Sequence, residues 1–202
     1  MGGSNDQQLR VKKPVVVLSN NDGCIIARSD EAKKLGIKMG EPYFQAKSII
    51  KKNKIYVFSS NYALYGDISQ RVMEVLSRFS PEIEIYSIDE AFLKFTGFKK
   101  NILHTYCCNM HSTIKQWVDI PVSIGVGHTK TLAKVANRIA KKNKEKKGVC
   151  VLLNEKEIEL ELANLDVGEV WGIGKSLSSF LKKNDIFYAL DFIKKDRRWI
   201  RQ

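Results

Sequence analysis

The sequence has no apolar run near the 18 residues that a membrane-spanning helix needs, and no stretch that reads as a signal peptide. No membrane span is expected. Cysteine and histidine are both scarce, at four and three in 202 residues. Cys24, Cys107, Cys108 and Cys150 form no CxxC pair, which excludes the usual zinc-ribbon spacings. Reduced thiols of a cytoplasmic protein are the simplest reading. His104 and His111 lie seven apart and could share a helix face, but no third ligand stands near them, so no metal is assigned there. Acidic residues are short as well: 22 Asp and Glu face 34 Lys and Arg, a formal charge of +12. That excess favours a polyanionic partner, either nucleic acid or an anionic surface. No internal repeat is present. With 44% hydrophobic and 28% charged residues, the chain has material for one good domain, or one plus a small second.

Hydrophobic periodicity places the elements. Val15-Val16-Val17-Leu18 reads as a buried strand ending in the turn cluster Ser19-Asn20-Asn21-Asp22-Gly23. Ser29 caps a short helix, Asp30 to Leu35, with Gly36 at its end. A second helix covers Tyr43 to Lys52, and Ile55 to Phe58 forms a strand. Asn61 opens a long helix that Pro81 stops, with Leu64, Ile68, Val72, Val75, Leu76 and Phe79 at helical spacing. Glu82 to Ile88 alternates as a strand and Ala91 to Phe95 returns. A helix in Lys99 to Val118, a strand at Val122 to Val126, a helix at Thr129 to Lys142 and a strand at Val149 to Leu153 follow. After Asn154 the sequence reads as short helices, a separate small module. Alternating strands and helices with at least one hairpin predict an α/β or α+β sandwich.

Three constellations carry chemistry. Asp89-Glu90 puts two carboxylates at the end of an alternating strand, which suits a divalent metal that bridges phosphates. Successive strand residues face opposite ways, so both acids serve one site only if the backbone turns or bulges there. A solvated hairpin tip is the alternative. Gly125-Val126-Gly127-His128-Thr129-Lys130 leads from a strand into a helix with Lys130 and Lys134 one turn apart: either a phosphate-binding helix start or an ordinary strand-to-helix turn. The P-loop pattern is incomplete. Arg138, Lys141, Lys142, Lys144, Lys146 and Lys147 continue the positive run, as a nucleic-acid contact or a solvated face. Gly172-Ile173-Gly174, ahead of a helix carrying Leu177, Phe180 and Leu181, is either a hairpin that holds a DNA phosphate on its backbone or a plain connection between helices.

In this order, five stretches resemble the Y-family translesion DNA polymerases, and within them the bacterial UmuC branch: Pro14 to Cys24, Phe58-Ser59-Ser60-Asn61-Tyr62, Tyr86-Ser87-Ile88-Asp89-Glu90-Ala91-Phe92, Lys130-Thr131-Leu132-Ala133-Lys134, and Val170-Trp171-Gly172-Ile173-Gly174. The resemblance implies an α+β fold: a palm-type mixed β-sheet with packed helices, a small fingers region and a helix-hairpin-helix thumb. It implies palm and fingers over 13–154 (fingers roughly 14–60), part of a thumb over 155–202, and a tag or loop remnant over 1–12. Asp89 and Glu90 then fill two of three catalytic carboxylate positions that hold two Mg²⁺ ions. Lys33 and Lys130 map to triphosphate contacts, Lys33 standing where other branches carry an arginine. Cys24 and Ile26 map to a small roof over the nascent base pair, and Gly172, Ile173, Gly174 and Lys175 to a grip on a DNA phosphate.

The implied activity is error-prone, DNA-directed synthesis past lesions during SOS mutagenesis and DNA repair. Its substrates are damaged primer-template DNA and a deoxynucleoside triphosphate. Its partners are a UmuD-type accessory protein and a recombinase filament, in the bacterial cytoplasm. The family pattern has a strand before residue 14 with the first metal-binding aspartate and an aromatic; Asn5 to Lys13 reads as the loop after it, and Asp6 is too close to the Pro14 strand to be that ligand. The expectations are that this chain is a fragment with little polymerase activity, that it binds DNA weakly and in a salt-dependent way, and that an exposed sheet edge lets it self-associate. A non-catalytic helix-hairpin-helix DNA-binding module is the main rival. A palm-like nucleotide cyclase is a third reading, against which the basic stripe argues.

Overall fold

The computed structural model describes residues 13–200. The expectations for 1–12, Asp6 included, lie outside the described residues. The chain divides into two compact units between Ile68 and Ser69.

The first unit is built on β1 (Val15–Leu18), β2 (Ile25–Arg28) and β3 (Tyr56–Ser59), in the order β2-β1-β3. β1 pairs antiparallel with β2 across the predicted turn, with a bulge at Val17 and Leu18, and parallel with β3. Parallel pairing requires a crossover, and two helices supply it, α1 (Asp30–Lys34) and α2 (Tyr43–Lys52). Ser29 caps α1 as its sequence position predicts: its Oγ accepts from Ala32 N at 3.3 Å, and also from Val15 N at 3.1 Å, tying the helix start to β1. Gly36, at φ +88°, ends that segment. Val16, Leu18 and Ile25 point inward with Ala32, Ile37, Ala46, Ile50 and Ile55 to form one core. The sequence reading gives no strand at Ile25–Arg28. Only Ile25 of its four residues is buried, so it carries no alternation to detect.

Helix α3 (Tyr62–Ser77) crosses the division; Asn61 Oδ1 accepts from Leu64 N at 3.0 Å at its start. In the second unit, β4 (Ile83–Ser87) and β5 (Glu90–Leu93) make an antiparallel hairpin. β6 (Ile124–Gly127) and β7 (Val149–Leu152) pair in parallel, and α5 (Lys130–Lys142) crosses between them. α4 (Lys100–Val118) buries Leu103, Cys107, Met110 and Ile114, a spacing of four, three and four that makes one helical stripe. That stripe packs with Met73, Val75 and Leu76 of α3 and with Ile83, Ala91 and Leu93 of the hairpin. α6 (Glu155–Asn164), α7 (Lys175–Lys183), α8 (Ala189–Lys194) and α9 (Arg197–Ile200) complete the chain. Residues 155–202 read as a module of their own, yet Leu162, Leu165 and Ala189 share a core with Val135, Ala136, Cys150 and Leu152 of α5 and β7.

The cysteines are free thiols in contrasting surroundings. Burial, reinforced by neighbouring Cys108, pushes the Cys107 thiol up to about 11, and burial raises Cys150 as well. Since the thiolate is the nucleophile, an alkylating reagent at pH 8 is expected to label Cys24 and Cys108 in the folded chain, and Cys107 and Cys150 only after denaturation. Mass spectrometry of labelled peptides checks this; equal labelling of Cys107 and Cys108 in the folded chain would contradict it.

Candidate active site

The bulge or turn required at the end of this strand is present. The β4–β5 register runs Ile83 to Leu93, Glu84 to Phe92 and Ile85 to Ala91, then shifts so that Ser87 faces Glu90. This bulge re-aims the strand end. The Ser87 hydroxyl donates to Asp89 Oδ1 at 2.7 Å and accepts weakly from Asp89 N at 3.4 Å, which folds the acid over the turn. Asp89 is exposed and Glu90 half-buried. Ile83, Ala91 and Leu93 face the core, so alternation sends Glu84, Glu90 and Phe92 to the other face.

Helix α5 lies over that outer face. Thr129 caps it, its Oγ1 accepting from Leu132 N at 3.2 Å. Leu132, Val135, Ala136, Ile139 and Ala140 point into a core. Lys130, Lys134, Arg138 and Lys142 recur every fourth residue and each meets an acid. Lys130 Nζ lies 2.5 Å from Glu84 Oε2, and Lys134 Nζ 2.5 Å from Glu90 Oε1. Arg138 pairs with Glu169, and Lys142 reaches the same carboxylate at 3.6 Å. Two members of the basic run thus face an internal acid, where the sequence reading offers a nucleic-acid contact or a solvated face. Aromatic rings fill the gaps: Tyr86, Phe92 and Trp171 meet pairwise with centroids 5.5 to 5.8 Å apart. Lys130 Nζ sits 5.2 Å over Phe92, and Lys134 Nζ 5.9 Å over Tyr86.

Asp89 and Glu90 offer the hard oxygen donors that Mg²⁺ takes, and Mg²⁺ characteristically uses one or two carboxylates together with substrate phosphates. No group of three or more His, Cys, Asp and Glu suited to a metal occurs among the described residues. At this tip the carboxylate oxygens of Asp89 and Glu90 are hard donors of that kind. Lys134 at present supplies the positive charge at Glu90. His104 and His111 do not converge: His104 Nδ1 lies 3.7 Å from Cys108 Sγ, whereas His111 packs under Gly148.

The glycine turn at 172–174 is open. A Cβ added to Gly172 or Gly174 would meet nothing within 4 Å, and Gly172 has φ +94°. Gly174 precedes α7 without a side-chain cap, leaving the first N–H groups of that helix, beginning at Lys175, unfilled by a side chain. Ile173 packs inward beside Val167, Leu181 and Ile186. The element ahead of the turn is a single 3₁₀ turn, Val167–Glu169, where the sequence reading expects a helix. Asp166 fastens it: Oδ1 accepts from Gly168 N at 2.8 Å, and Oδ2 meets Lys182 of α7 at 2.7 Å. The Lys182 bond first, then the Gly168 N–H, hold the Asp166 carboxyl below the usual range. A depressed carboxyl contributes its stability in full above about pH 4, the unfolded value, and loses it as pH falls through the folded value. Asp166→Asn is accordingly expected to lower the urea midpoint at pH 7 and to lower it by less at pH 3, where the carboxylate's contribution has begun to fall. An equal gap at both pH values would remove the charge from the explanation.

In the first unit, Cys24 and Ile26 flank fully buried Ile25, so both lie on its outer face, Cys24 half-buried and Ile26 exposed. Lys33 sits on α1, 2.8 Å from Asp30.

Comparison with known proteins decides the family. The model of the impB/mucB/samB family matches residues 3–138. The chain belongs to this family. ImpB of Salmonella typhimurium is 45% identical over 193 residues, covering 94% of this chain and 46% of that protein. UmuC of Salmonella typhimurium strain LT2 is 45% identical over 190 residues, covering 93% and 45%. The impB/mucB/samB member described above thus spans just under half the length of the curated relatives it matches. The crystal structure of a DinB family error-prone DNA polymerase from Sulfolobus solfataricus matches at a TM-score of 0.75 and 29% identity, over 95% of this chain and 54% of that one. The α+β fold expected from the resemblance is the fold observed.

Sequence reasoning missed Glu84, the second acid of the outer face, and gave Lys134 no partner. The alternation of Glu82-Ile83-Glu84-Ile85 places Glu84 opposite the core, but its partner is 46 residues away.

Proposed function

We propose that the chain is the palm-and-fingers portion, with part of the thumb, of a DNA-directed DNA polymerase of the lesion-bypass type. Such an enzyme adds a deoxynucleotide to a primer 3′-hydroxyl. The observation that carries the proposal is the acid pair at a bulged hairpin tip, flanked by the lysine-bearing start of α5. Asp89 and Glu90 supply the carboxylates for divalent cations, two Mg²⁺ in the complete enzyme. Bound there, Mg²⁺ would supply Lewis-acid polarisation of the primer hydroxyl and of the triphosphate. Lys130 stands at the helix start as a cation for a triphosphate oxygen, with the helix dipole behind it; the family resemblance gives Lys33 a triphosphate contact as well. The open backbone of Gly172, Ile173 and Gly174, with Lys175, holds a duplex phosphate without reading bases, as in a helix-hairpin-helix. Cys24 and Ile26 lie on an outer strand face and are assigned to a shallow roof that tolerates a damaged base. A UmuD-type accessory protein, a recombinase filament and a cytoplasmic location belong to the same reading.

The test is binding of a deoxynucleoside triphosphate with and without Mg²⁺. Cation-dependent binding that disappears in Asp89→Ala supports the polymerase. Cation-independent binding, or none, supports the rival, a non-catalytic DNA-binding module in which the Glu90–Lys134 pair is purely structural.

A further inference from the structure

Lys130 is electrostatically out of place. It opens α5, where the helix dipole presents positive charge, and no acidic residue stands in the first turn of that helix. A cation there is disfavoured unless an anion joins it. The anion is Glu84, which projects from β4, a strand separate from α5, and brings Oε2 to 2.5 Å of Lys130 Nζ. Phe92, directly opposite Glu84 in the hairpin, supports the ammonium from below at 5.2 Å. Both side chains are about half exposed, at 48% and 56%, so a ligand can reach the pair and exchange costs little desolvation. The next rung repeats the arrangement with Glu90 and Lys134.

Resting on the reading of Lys130 as a triphosphate contact, we infer that Glu84 is a positioning residue for the nucleotide. Its carboxylate occupies the place of a phosphate oxygen at the start of α5. It keeps Lys130 aimed along the hairpin and gives the lysine up when the triphosphate arrives. Glu84 therefore competes with the nucleotide for one ammonium group, and the protein trades affinity for a pre-aimed side chain.

A double-mutant cycle tests this on the whole chain, with binding of a fluorescent deoxynucleoside triphosphate in Mg²⁺ as the readout. Glu84→Gln keeps the side chain's size and removes its charge. It is expected to tighten binding about two- to fivefold, the scale on which an exposed ion pair shifts an equilibrium. In a Lys130→Ala background the same substitution is expected to change nothing, because the group it competes for is gone. Tightening of equal size in both backgrounds means that Glu84 acts only through the general field, and overturns the inference. So does unchanged or weaker binding in Glu84→Gln, and Glu84→Ala guards against a glutamine that rebinds the lysine. Lys130→Ala alone reports on the underlying reading: unaltered affinity there removes the phosphate role of Lys130 itself, whatever Glu84 does. Thermal melting of each variant separates these outcomes from a loss of folding.

Discussion

Gly125→Ala is expected to destabilise the second unit by roughly 3 kcal/mol or more, which lowers its melting midpoint by about 10 °C. A Cβ built on Gly125 lies 2.0 Å from Asn137 N and 2.3 Å from Ala133 O. Both are backbone atoms of α5, so no rotamer change relieves the clash, and the helix itself has to lift off β6. Gly127 repeats the contact more gently, at 2.7 Å from Ala133 N. Lifting α5 moves Lys130 and Lys134 away from the hairpin that carries Asp89 and Glu90, so the proposed nucleotide binding is expected to fall together with stability. Gly174→Ala is the matched control, since its Cβ would meet nothing and its φ of −80° suits any residue. Circular dichroism melts of the two variants decide the matter. A Gly125→Ala protein that melts with the parent would mean that α5 does not seat on β6 this closely.

The same glycine shows where a sequence stops being legible. The order Gly125-Val126-Gly127 ahead of Thr129 and Lys130 reads as a phosphate-binding helix start or as an ordinary strand-to-helix turn. Neither reading contains the close approach of α5 to the strand, which needs residues without side chains and shows only in the distances. Local signals carried most elements: the Ser29 cap, the continuous apolar run at Val15 to Leu18, and the helical spacing of Leu64, Ile68, Val72, Val75, Leu76 and Phe79 all act within a turn or two of themselves. The acid pair was legible as a pair, and so was the requirement for a bulge, because side-chain direction in a strand follows from pleat alone. Its surroundings were not. Glu84–Lys130 and Glu90–Lys134 join residues more than forty positions apart, and nothing in either segment names the other. Trp171 was legible only as a neighbour of the glycine turn, although its ring closes the cluster with Tyr86 and Phe92.

Those non-local pairs make the two carboxylates unequal, and the inequality sets the largest expected effect on binding. Asp89 is exposed and takes a neutral hydroxyl from Ser87, so its charge remains available to a cation. Glu90 is already joined to Lys134. Each unit-charge contact is worth about 1 kcal/mol at 4 Å in water and about 4 kcal/mol at an effective dielectric constant of 20, and a divalent ion doubles it. Asp89→Ala or Asp89→Asn is therefore expected to weaken Mg²⁺-dependent triphosphate binding by at least about thirtyfold, roughly 2 kcal/mol. Glu90→Gln is expected to be as damaging for a different reason: it strips a ligand and also leaves Lys134 as an unopposed positive charge beside Asp89. Adding Lys134→Met to Glu90→Gln should then recover part of the cation affinity. Adding it to Asp89→Asn should recover less, because there Glu90 already neutralises the lysine. Titration with Mn²⁺ alone, followed by its electron paramagnetic resonance signal, measures cation affinity without the nucleotide. Equal rescue in both backgrounds would show that Lys134 acts through net charge and not through its bond to Glu90.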